Sequence, residues 1–230
     1  MMNRKTLKNL RLKVGEVAGR RADLPFFDPF LPVNSANILT HLSINLNWKN
    51  KIETGGDPLG QFVNLIDLKI HHFGRRFGEI LATTNISLKS LYIRFRSRSS
   101  LLGRMFSAFS LKSLTNLTID LGRSKFKVTE PLIEAITDLN FIEQLAFTNF
   151  KFRRQWISYL APMKNLVRFL ASIDKEQFQE VDGSGQGRLD ADGLKQAIRN
   201  DFISVFTPRF ERPGIRIHVD LEIVWVECRP

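Results

Sequence analysis

The sequence predicts an α/β fold in which short strands and helical segments alternate along the chain as a repeat array. Three observations predict this: a hydrophobic pattern that recurs at similar spacing, segments of helical periodicity between its copies, and a globular composition. Of the 230 residues, 43% are hydrophobic and 25% are charged, which excludes a mainly disordered chain. Neither the strand nor the helix of such a unit buries its apolar face alone, so stacking of neighbouring units is expected to form the core.

The recurring pattern is Leu-x-x-Leu-x-Leu, with Ile or Phe allowed at the hydrophobic positions. Because strand side chains alternate between the two faces of a sheet, the second and third hydrophobic residues of each copy are predicted to point inward. Successive middle residues are 32, 26, 23, 26, 28 and 24 residues apart, which is hard to obtain by chance. The copies are Leu7–Leu10–Leu12, Leu39–Leu42–Ile44, Leu65–Leu68–Ile70, Leu88–Leu91–Ile93, Leu114–Leu117–Ile119, Ile142–Leu145–Phe147 and a weaker Leu166–Phe169–Ala171.

Helical spacing is found between these strands. The clearest segment is 129–139, where Thr129 is placed to cap a helix and Pro131 stands near its first turn. Its predicted buried face holds Leu132, Ile133, Ile136 and Leu139. Segments 74–84, 100–111 and 153–163 show similar spacing and are also predicted to be helical.

This arrangement resembles the leucine-rich-repeat family, and the resemblance covers residues 5–173. The family implies a curved solenoid with parallel strands on the concave side, helices on the convex side and a surface that binds other proteins. Family members place Asn three residues after the third hydrophobic position. Here only the Leu39 copy has it, as Asn47, so the array is expected to be irregular. The other copies have Phe73, Arg96, Gly122 and Phe150.

Degenerate repeats of this length are similar to those that follow an F-box in ubiquitin-ligase adaptors. The alternative architecture is a doubly wound sheet, whose strands are continuous Val/Ile runs and whose first turn carries a glycine-rich phosphate loop. The strands of this chain are Leu-based with polar residues interleaved, as in LTHLSINLN. This interleaving favours the solenoid.

Three segments are predicted. Residues 1–173 form the repeat array of about seven strands, 174–193 a Gly/Asp-rich loop insertion, and 194–230 a terminal helix and a capping strand. Loop 182–193 superficially follows a calcium-binding loop but has Gly193 where a bidentate Glu is needed, so a flexible loop is predicted instead. The helix is expected over 192–206, capped by Asp190 or Asp192. The alternation of hydrophobic and polar residues over 215–226 predicts one final strand that covers the end of the array.

The first repeat begins close to Met1 without a polar cap. Because terminal repeats need such a cap, we expect the chain to be part of a longer protein. An alternative takes the basic segment 1–21 as an organelle-targeting helix.

The composition also excludes several classes of protein. The single cysteine, Cys228, rules out internal disulfides and a structural zinc site. No apolar run approaches 18 residues, and the first residues lack the apolar core of a secretion signal. A cytoplasmic or nuclear protein without a membrane span is therefore expected. No catalytic or metal-ligating constellation is visible, since adjacent His71 and His72 point to opposite faces of a strand, so neither enzymatic activity nor a cofactor is predicted.

The residues that flank the inward leucines are predicted to face the concave surface. Their mixed polarity suits a protein partner, because Tyr and Arg are frequent anchors in interfaces; the competing interpretation is a merely solvated sheet face. Partner binding is assigned on this face to Arg11, Lys69, His71, Tyr92, Arg94, Thr118 and Asp120.

A second pattern is a basic rim at the turns from strand to helix. The net charge is +11, and cations at helix N-termini oppose the helix dipole, so local stability does not explain them. The rim is predicted to meet an acidic or phosphorylated protein, with nucleic acid as a weaker option; the alternative is that the charge only keeps the array soluble. Its predicted members are Lys49, Lys51, Arg75, Arg76, Arg98, Arg123, Lys125, Arg153 and Arg154.

The predicted function is non-enzymatic protein recognition, as the substrate-binding part of an F-box-type ubiquitin-ligase adaptor. Binding to the ligase scaffold is expected only if an F-box lies upstream. The alternative is a free-standing scaffold or polyanion-associated protein that uses the basic rim.

Overall fold

The computed structural model describes residues 8–14, 38–46, 59–73, 81, 84, 86–95, 111–122, 130–139, 141–174, 190–206, 215–220 and 223–228. The fold is mixed α/β, with mostly parallel strands in an open arrangement and few helices. The chain divides into two compact units, Met1–Ile119 and Asp120–Pro230. No helix in the described part of the chain is long and apolar enough to cross a membrane.

The first unit contains the strands predicted from the first five copies of the pattern. They are β1 (Asn9–Val14), β2 (His41–Leu46), β3 (Asp67–Phe73), β4 (Ser90–Phe95) and β5 (Asn116–Asp120), whose last residue belongs to the second unit. They follow one another in chain order, and the pairs β1–β2, β2–β3 and β3–β4 are parallel.

The register of these strands confirms the predicted alignment of the repeats. The middle residues lie opposite one another, and so do the third hydrophobic residues two positions later. The two rows are Leu10, Leu42, Leu68 and Leu91, and Leu12, Ile44, Ile70 and Ile93. In both rows every residue of β2, β3 and β4 is buried. The prediction that these positions point inward is therefore correct for the three strands.

One carbonyl before each strand is hydrogen-bonded in the same way from repeat to repeat. The Lys8 carbonyl accepts the backbone N–H groups of Thr40 and His41, both at 3.0 Å. The carbonyls of Thr40, Ile66 and Lys89 each accept two N–H groups from the following repeat in turn. In the second unit the Glu143 carbonyl accepts those of Val167 and Arg168, at 2.8 and 2.9 Å. Strands β2 to β5 and β7 therefore each start at a defined position relative to the strand before them.

The chain approaches several strands through turns that bury every third residue. In the first unit, the Phe62 N–H donates to the Leu59 carbonyl and the Leu65 N–H to the Phe62 carbonyl, both at 2.9 Å. A three-residue repeat with such bonds places residues i and i+3 on the same side of the chain. The second unit repeats this in Ile136, Leu139 and Ile142, and in Leu160, Met163 and Leu166, all of them buried. The hydrophobic pattern of the repeat thus extends upstream of β3, β6 and β7.

The second unit combines parallel strands with a C-terminal hairpin. Its elements are helix α1 (Glu130–Thr137), β6 (Gln144–Phe152), 3-10 helices Arg154–Trp156 and Ser158–Leu160, β7 (Arg168–Ile173), helix α2 (Ala191–Phe206), β8 (Ile215–Asp220) and β9 (Ile223–Cys228). The strand order is β6-β7-β9-β8. Strands β6 and β7 are parallel, whereas β9 is antiparallel to both β7 and β8.

Two predictions for this unit are wrong in part. The single strand expected over 215–226 is instead the pair β8 and β9, because the chain reverses between Asp220 and Ile223. The reversal changes the phase of burial: Val224 and Val226 are buried, while Ile223 is 46% exposed. The helix expected over 153–163 is two 3-10 helices, in which backbone N–H groups donate to the carbonyl three residues earlier, as from Trp156 to Arg153 and from Leu160 to Ile157.

Both α-helices of the second unit lie where the sequence predicts them. In α1, Ile133 and Ile136 are buried, in agreement with the predicted face. Helix α2 begins at Ala191, and Asp190 caps it by accepting the Gly193 N–H at 2.7 Å. The predicted helices over 74–84 and 100–111 lie almost entirely outside the described residues, as do positions 175–189 of the predicted loop.

The core of the second unit is aromatic. The Phe169 ring packs against Phe152 and Phe202, with ring centroids 5.2 and 5.6 Å apart. Phe147 and Trp156 also contact the Phe152 ring, each at a centroid distance of 5.6 Å. Because Phe202 lies on α2, this cluster attaches the helix to the strands.

Candidate binding surfaces

The predicted concave residues of β1 to β4 lie on one surface of the first unit. Arg11, Ser43, Lys69 and Tyr92 are opposite one another in the strand register. All four are exposed or half-buried, while their neighbours in the row of leucines are buried or half-buried. With His71 and Arg94 they form what we call the exposed strand face.

His71 connects two positions of this face. The register of β3 against β4 shifts between Ile70 and Phe73, and the His71 Nε2 lies 3.1 Å from the Ser43 Oγ. The His71 ring is also 5.4 Å from the Tyr92 ring, between centroids. The imidazole therefore supports the Tyr92 ring from one side and shares a hydrogen bond with Ser43.

Positive charge predominates on the exposed strand face. Arg11, Lys69 and Arg94 contribute cations, and Asp67 is the neighbouring carboxylate. The Lys69 Nζ is 4.0 Å from the Asp67 Oδ2, and the Lys69 side chain is about half exposed. Such a pair contributes at most about 1 kcal/mol, so a stronger anion can displace it. The other carboxylate oxygen, Asp67 Oδ1, is buried and accepts no hydrogen bond from a described residue.

Two predicted residues of this face lie in β5. Thr118 is half-buried. Asp120 was expected to face a partner, but it is only 5% exposed, and its Oδ1 accepts hydrogen bonds from the Gly122 N–H at 2.7 Å and from the Asn149 Nδ2 at 2.6 Å. Both Gly122 and Asn149 have a φ of 61°, a conformation that suits Gly and is tolerated by Asn. The prediction for Asp120 is wrong because its carboxylate holds a turn inside the second unit.

The basic rim is described only at its last two residues. The Arg153 guanidinium lies over the Trp156 ring, 5.3 Å from its centroid. Arg154 forms a two-pronged ion pair with Asp201 of α2, from Nε at 2.7 Å and from Nη2 at 3.2 Å. Both residues thus have intramolecular partners that their position in the sequence did not reveal. Lys49, Lys51, Arg75, Arg76, Arg98, Arg123 and Lys125 lie outside the described residues.

The second unit has an exposed strand surface of its own. Ala146, Leu170, Trp225 and His218 are opposite one another across β6, β7, β9 and β8. In the next row Arg168 pairs with Glu227 through an Nη2–Oε1 contact of 3.3 Å. Trp225 is 39% exposed. Leu170 and Trp225 were not predicted as surface residues. They alternate with the buried residues of β7 and β9, and this alternation indicates their exposure once β8 and β9 are known to be separate strands.

A groove runs between α2 and β8. Its volume is about 620 Å³. We call it the α2–β8 groove, and its walls are formed by Arg199, Ile203, Arg216, Ile217, His218 and Trp225.

Within the described ranges, no three His, Cys, Asp or Glu side chains are grouped so that they could hold a metal ion. Comparison with known proteins gives no match to a family model, to a curated protein or to a solved structure.

Proposed function

We propose that the chain is a non-enzymatic protein-recognition module of the leucine-rich-repeat solenoid type. The observation that carries the proposal is the row Arg11–Ser43–Lys69–Tyr92, held in register by parallel strands. The repeated carbonyl before each strand supports the solenoid part of the proposal, because one local geometry recurs while the repeat length varies.

The exposed strand face suits a short segment of a partner protein. Neighbouring strands are about 4.8 Å apart, so the row across four strands is about 14 Å long, the length of four extended residues. Tyr and Arg are the residue types most often found as anchors of protein interfaces. His71 already supports the Tyr92 ring, so the ring loses little conformational freedom when a partner covers it.

The charge of the face favours an acidic or phosphorylated partner. The face has three cationic side chains, Arg11, Lys69 and Arg94, with Asp67 as the neighbouring carboxylate. An arginine guanidinium bonds a carboxylate or a phosphate through two parallel N–H groups, and the long-range attraction increases the rate of association. We therefore propose an acidic segment as the ligand of this face.

The biological role that we propose is substrate binding in an F-box-type ubiquitin-ligase adaptor. In that role the exposed strand face holds the substrate, and the ligase scaffold binds through an F-box elsewhere in the protein. The alternative, a polyanion-binding protein that uses the basic rim, has less support because Arg153 and Arg154 are engaged within the chain.

The proposal is tested by quantitative mass spectrometry of proteins retained by the purified chain from extracts of its source cells. We compare the wild type with Tyr92→Ala and Lys69→Glu. The matched control is Lys89→Glu, which reverses an exposed charge just before β4, outside the face. Circular dichroism checks that every variant is folded.

We expect the wild-type chain to retain a defined set of proteins. The amount of each retained protein should fall at least tenfold with both face variants and should not change with Lys89→Glu. Partners that survive both face variants would contradict the assignment of this face. Addition of purified ligase scaffold tests the adaptor role separately, since a form of the protein that carries an F-box must retain the scaffold even when Tyr92→Ala removes the substrate.

A further inference from the structure

We propose that the α2–β8 groove binds an extended acidic segment of a partner protein, which adds as a further strand to the edge of β8 that no described strand covers. The groove lies in the second unit and does not depend on the exposed strand face. Its volume of about 620 Å³ is within the range of about 300–1,000 Å³ that ligand sites occupy.

The backbone of β8 provides the main recognition element. Strand β8 ends the strand order, and among the described residues only β9 pairs with it. An edge strand presents unpaired N–H and C=O groups on its free side, which an extended peptide can use for main-chain hydrogen bonds. The six residues of β8 span about 20 Å at about 3.3 Å per residue. This length accommodates a segment of about six residues.

Helix α2 provides a side wall for the segment. Its core-facing residues are Leu194, Ile198, Phe202 and Phe206. Arg199 and Ile203, each one position after a core-facing residue, line the groove beside β8. Ile203 is 39% exposed, so it offers apolar surface to a ligand.

The described residues that line the groove carry positive charge and include no carboxylate. Arg199, Arg216 and His218 are exposed, and in the described part of the chain neither arginine forms an ion pair. The residue opposite Arg216 in the register is Glu227, whose Oε1 is bonded by Arg168. An acidic ligand can therefore bind Arg199 and Arg216 without breaking an ion pair between either arginine and another described residue.

The arrangement also defines the pattern of the ligand. Side chains of an added strand alternate between the two faces of the sheet. On one face they meet Arg216 and His218, and on the other they meet Ile217 and Ile203. Acidic residues that alternate with β-branched apolar residues satisfy both sides. Binding is expected from such a segment in an extended conformation.

The test uses fluorescence polarisation with a labelled, capped hexapeptide in which Glu alternates with Val, added to the full chain. We expect saturable binding that weakens at least tenfold when alternate peptide nitrogens are methylated in the register that faces β8, because methylation removes the donors to the strand edge. Both methylation registers are measured, and only one is expected to have this effect.

The charge requirement is tested with the double variant Arg199→Glu/Arg216→Glu. Its affinity for the Glu–Val peptide is expected to be at least tenfold lower than that of the wild type, and it is expected to bind a Lys–Val peptide. The matched control, Lys151→Glu/Lys164→Glu, makes the same change of net charge at exposed positions of this unit and should bind as the wild type does.

Three results would overturn the proposal. One is the absence of saturable binding to the folded protein at millimolar peptide. Another is equal binding of both methylated peptides and of a thymidine oligonucleotide of matched charge, which would reduce the groove to a general anion site. The third is peptide-independent dimerisation that Arg216→Glu abolishes, which would assign the edge to a second copy of the chain.

Discussion

Replacing Asp120 with alanine is predicted to lower the free energy of unfolding by about 3 kcal/mol. The residue is 5% exposed, and its Oδ1 accepts two hydrogen bonds, at 2.7 Å from the Gly122 N–H and at 2.6 Å from the Asn149 Nδ2. Hydrogen bonds to a charged group contribute about 1.5–3 kcal/mol each, so two would sum to about 3–6 kcal/mol. Removing the carboxylate also removes the cost of burying it, so the lower end of this range applies.

The two bonds can be separated with Asn149→Gly. Glycine keeps the φ of 61° without steric cost, so this variant removes the side-chain donor and leaves the turn bond to Gly122. We expect a loss of about 1.5 kcal/mol. In the double variant Asp120→Ala/Asn149→Gly, the effects should fall short of additivity by about 1.5 kcal/mol, because both single changes remove the same bond.

The assay is urea unfolding followed by circular dichroism. With a slope of about 3 kcal/mol per molar urea, a loss of about 3 kcal/mol shifts the midpoint of Asp120→Ala by about 1 M. The control is Asp138→Ala, which removes an exposed carboxylate at the end of α1 and should change stability by less than about 0.5 kcal/mol. If Asp120→Ala were as stable as this control, the buried carboxylate would not hold the turn and the reasoning would fail.

Two further predictions concern packing and charge in the second unit. Phe169→Ala should lower the free energy of unfolding, measured by urea unfolding, by about 3–5 kcal/mol, because the buried Phe169 ring packs on Phe152 and Phe202. The control is Leu170→Ala at the adjacent, half-buried position, which should lower it by less than about 1 kcal/mol. Equal losses in the two variants would refute the aromatic core. A double-mutant cycle on Arg154→Ala and Asp201→Ala should give a coupling of about 0.5–1 kcal/mol, since the two side chains are 44% and 27% exposed, and the coupling should decrease with added salt; a salt-independent value would contradict a partly solvated ion pair.

The strand register was predictable because the Leu-x-x-Leu-x-Leu pattern records burial directly. Strands β1 to β5 each have Leu or Ile at the two inward positions, and a shift by one residue would expose the whole set. The three-residue spacing of Leu59, Phe62 and Leu65 could be read from the sequence in the same way, since it too reflects burial.

Other features were not predictable from local patterns. The two residues between β8 and β9 in the sequence are Leu221 and Glu222, which give none of the Gly or Asn signals of a tight hairpin. Hydrophobic residues alternate on both sides of these two residues, so one continuous strand was the natural prediction. The ion pair of Arg154 joins residues 47 positions apart, and nothing near Arg154 in the sequence indicates Asp201. Asp120 was assigned to the exposed face because the alternation of inward and outward side chains along β5 was extended to it. That alternation ends where the chain turns.

The shared carbonyl before each strand has a consequence for how the chain tolerates changes of length. Steps between middle residues range from 23 to 32, yet the carbonyls of Lys8, Thr40, Ile66 and Lys89 each accept the same two N–H groups of the following repeat. Differences in length therefore accumulate between the end of one strand and the approach to the next. A change of length outside these starting positions is expected to be tolerated, whereas deleting a single residue between Leu65 and Leu68 would disrupt the start of β3 against β2, because Ile66 and Asp67 donate the two N–H groups to the Thr40 carbonyl. Each of these repeats thus keeps a fixed hydrogen-bonded start of its strand, and the segments between the strands take up the differences in length.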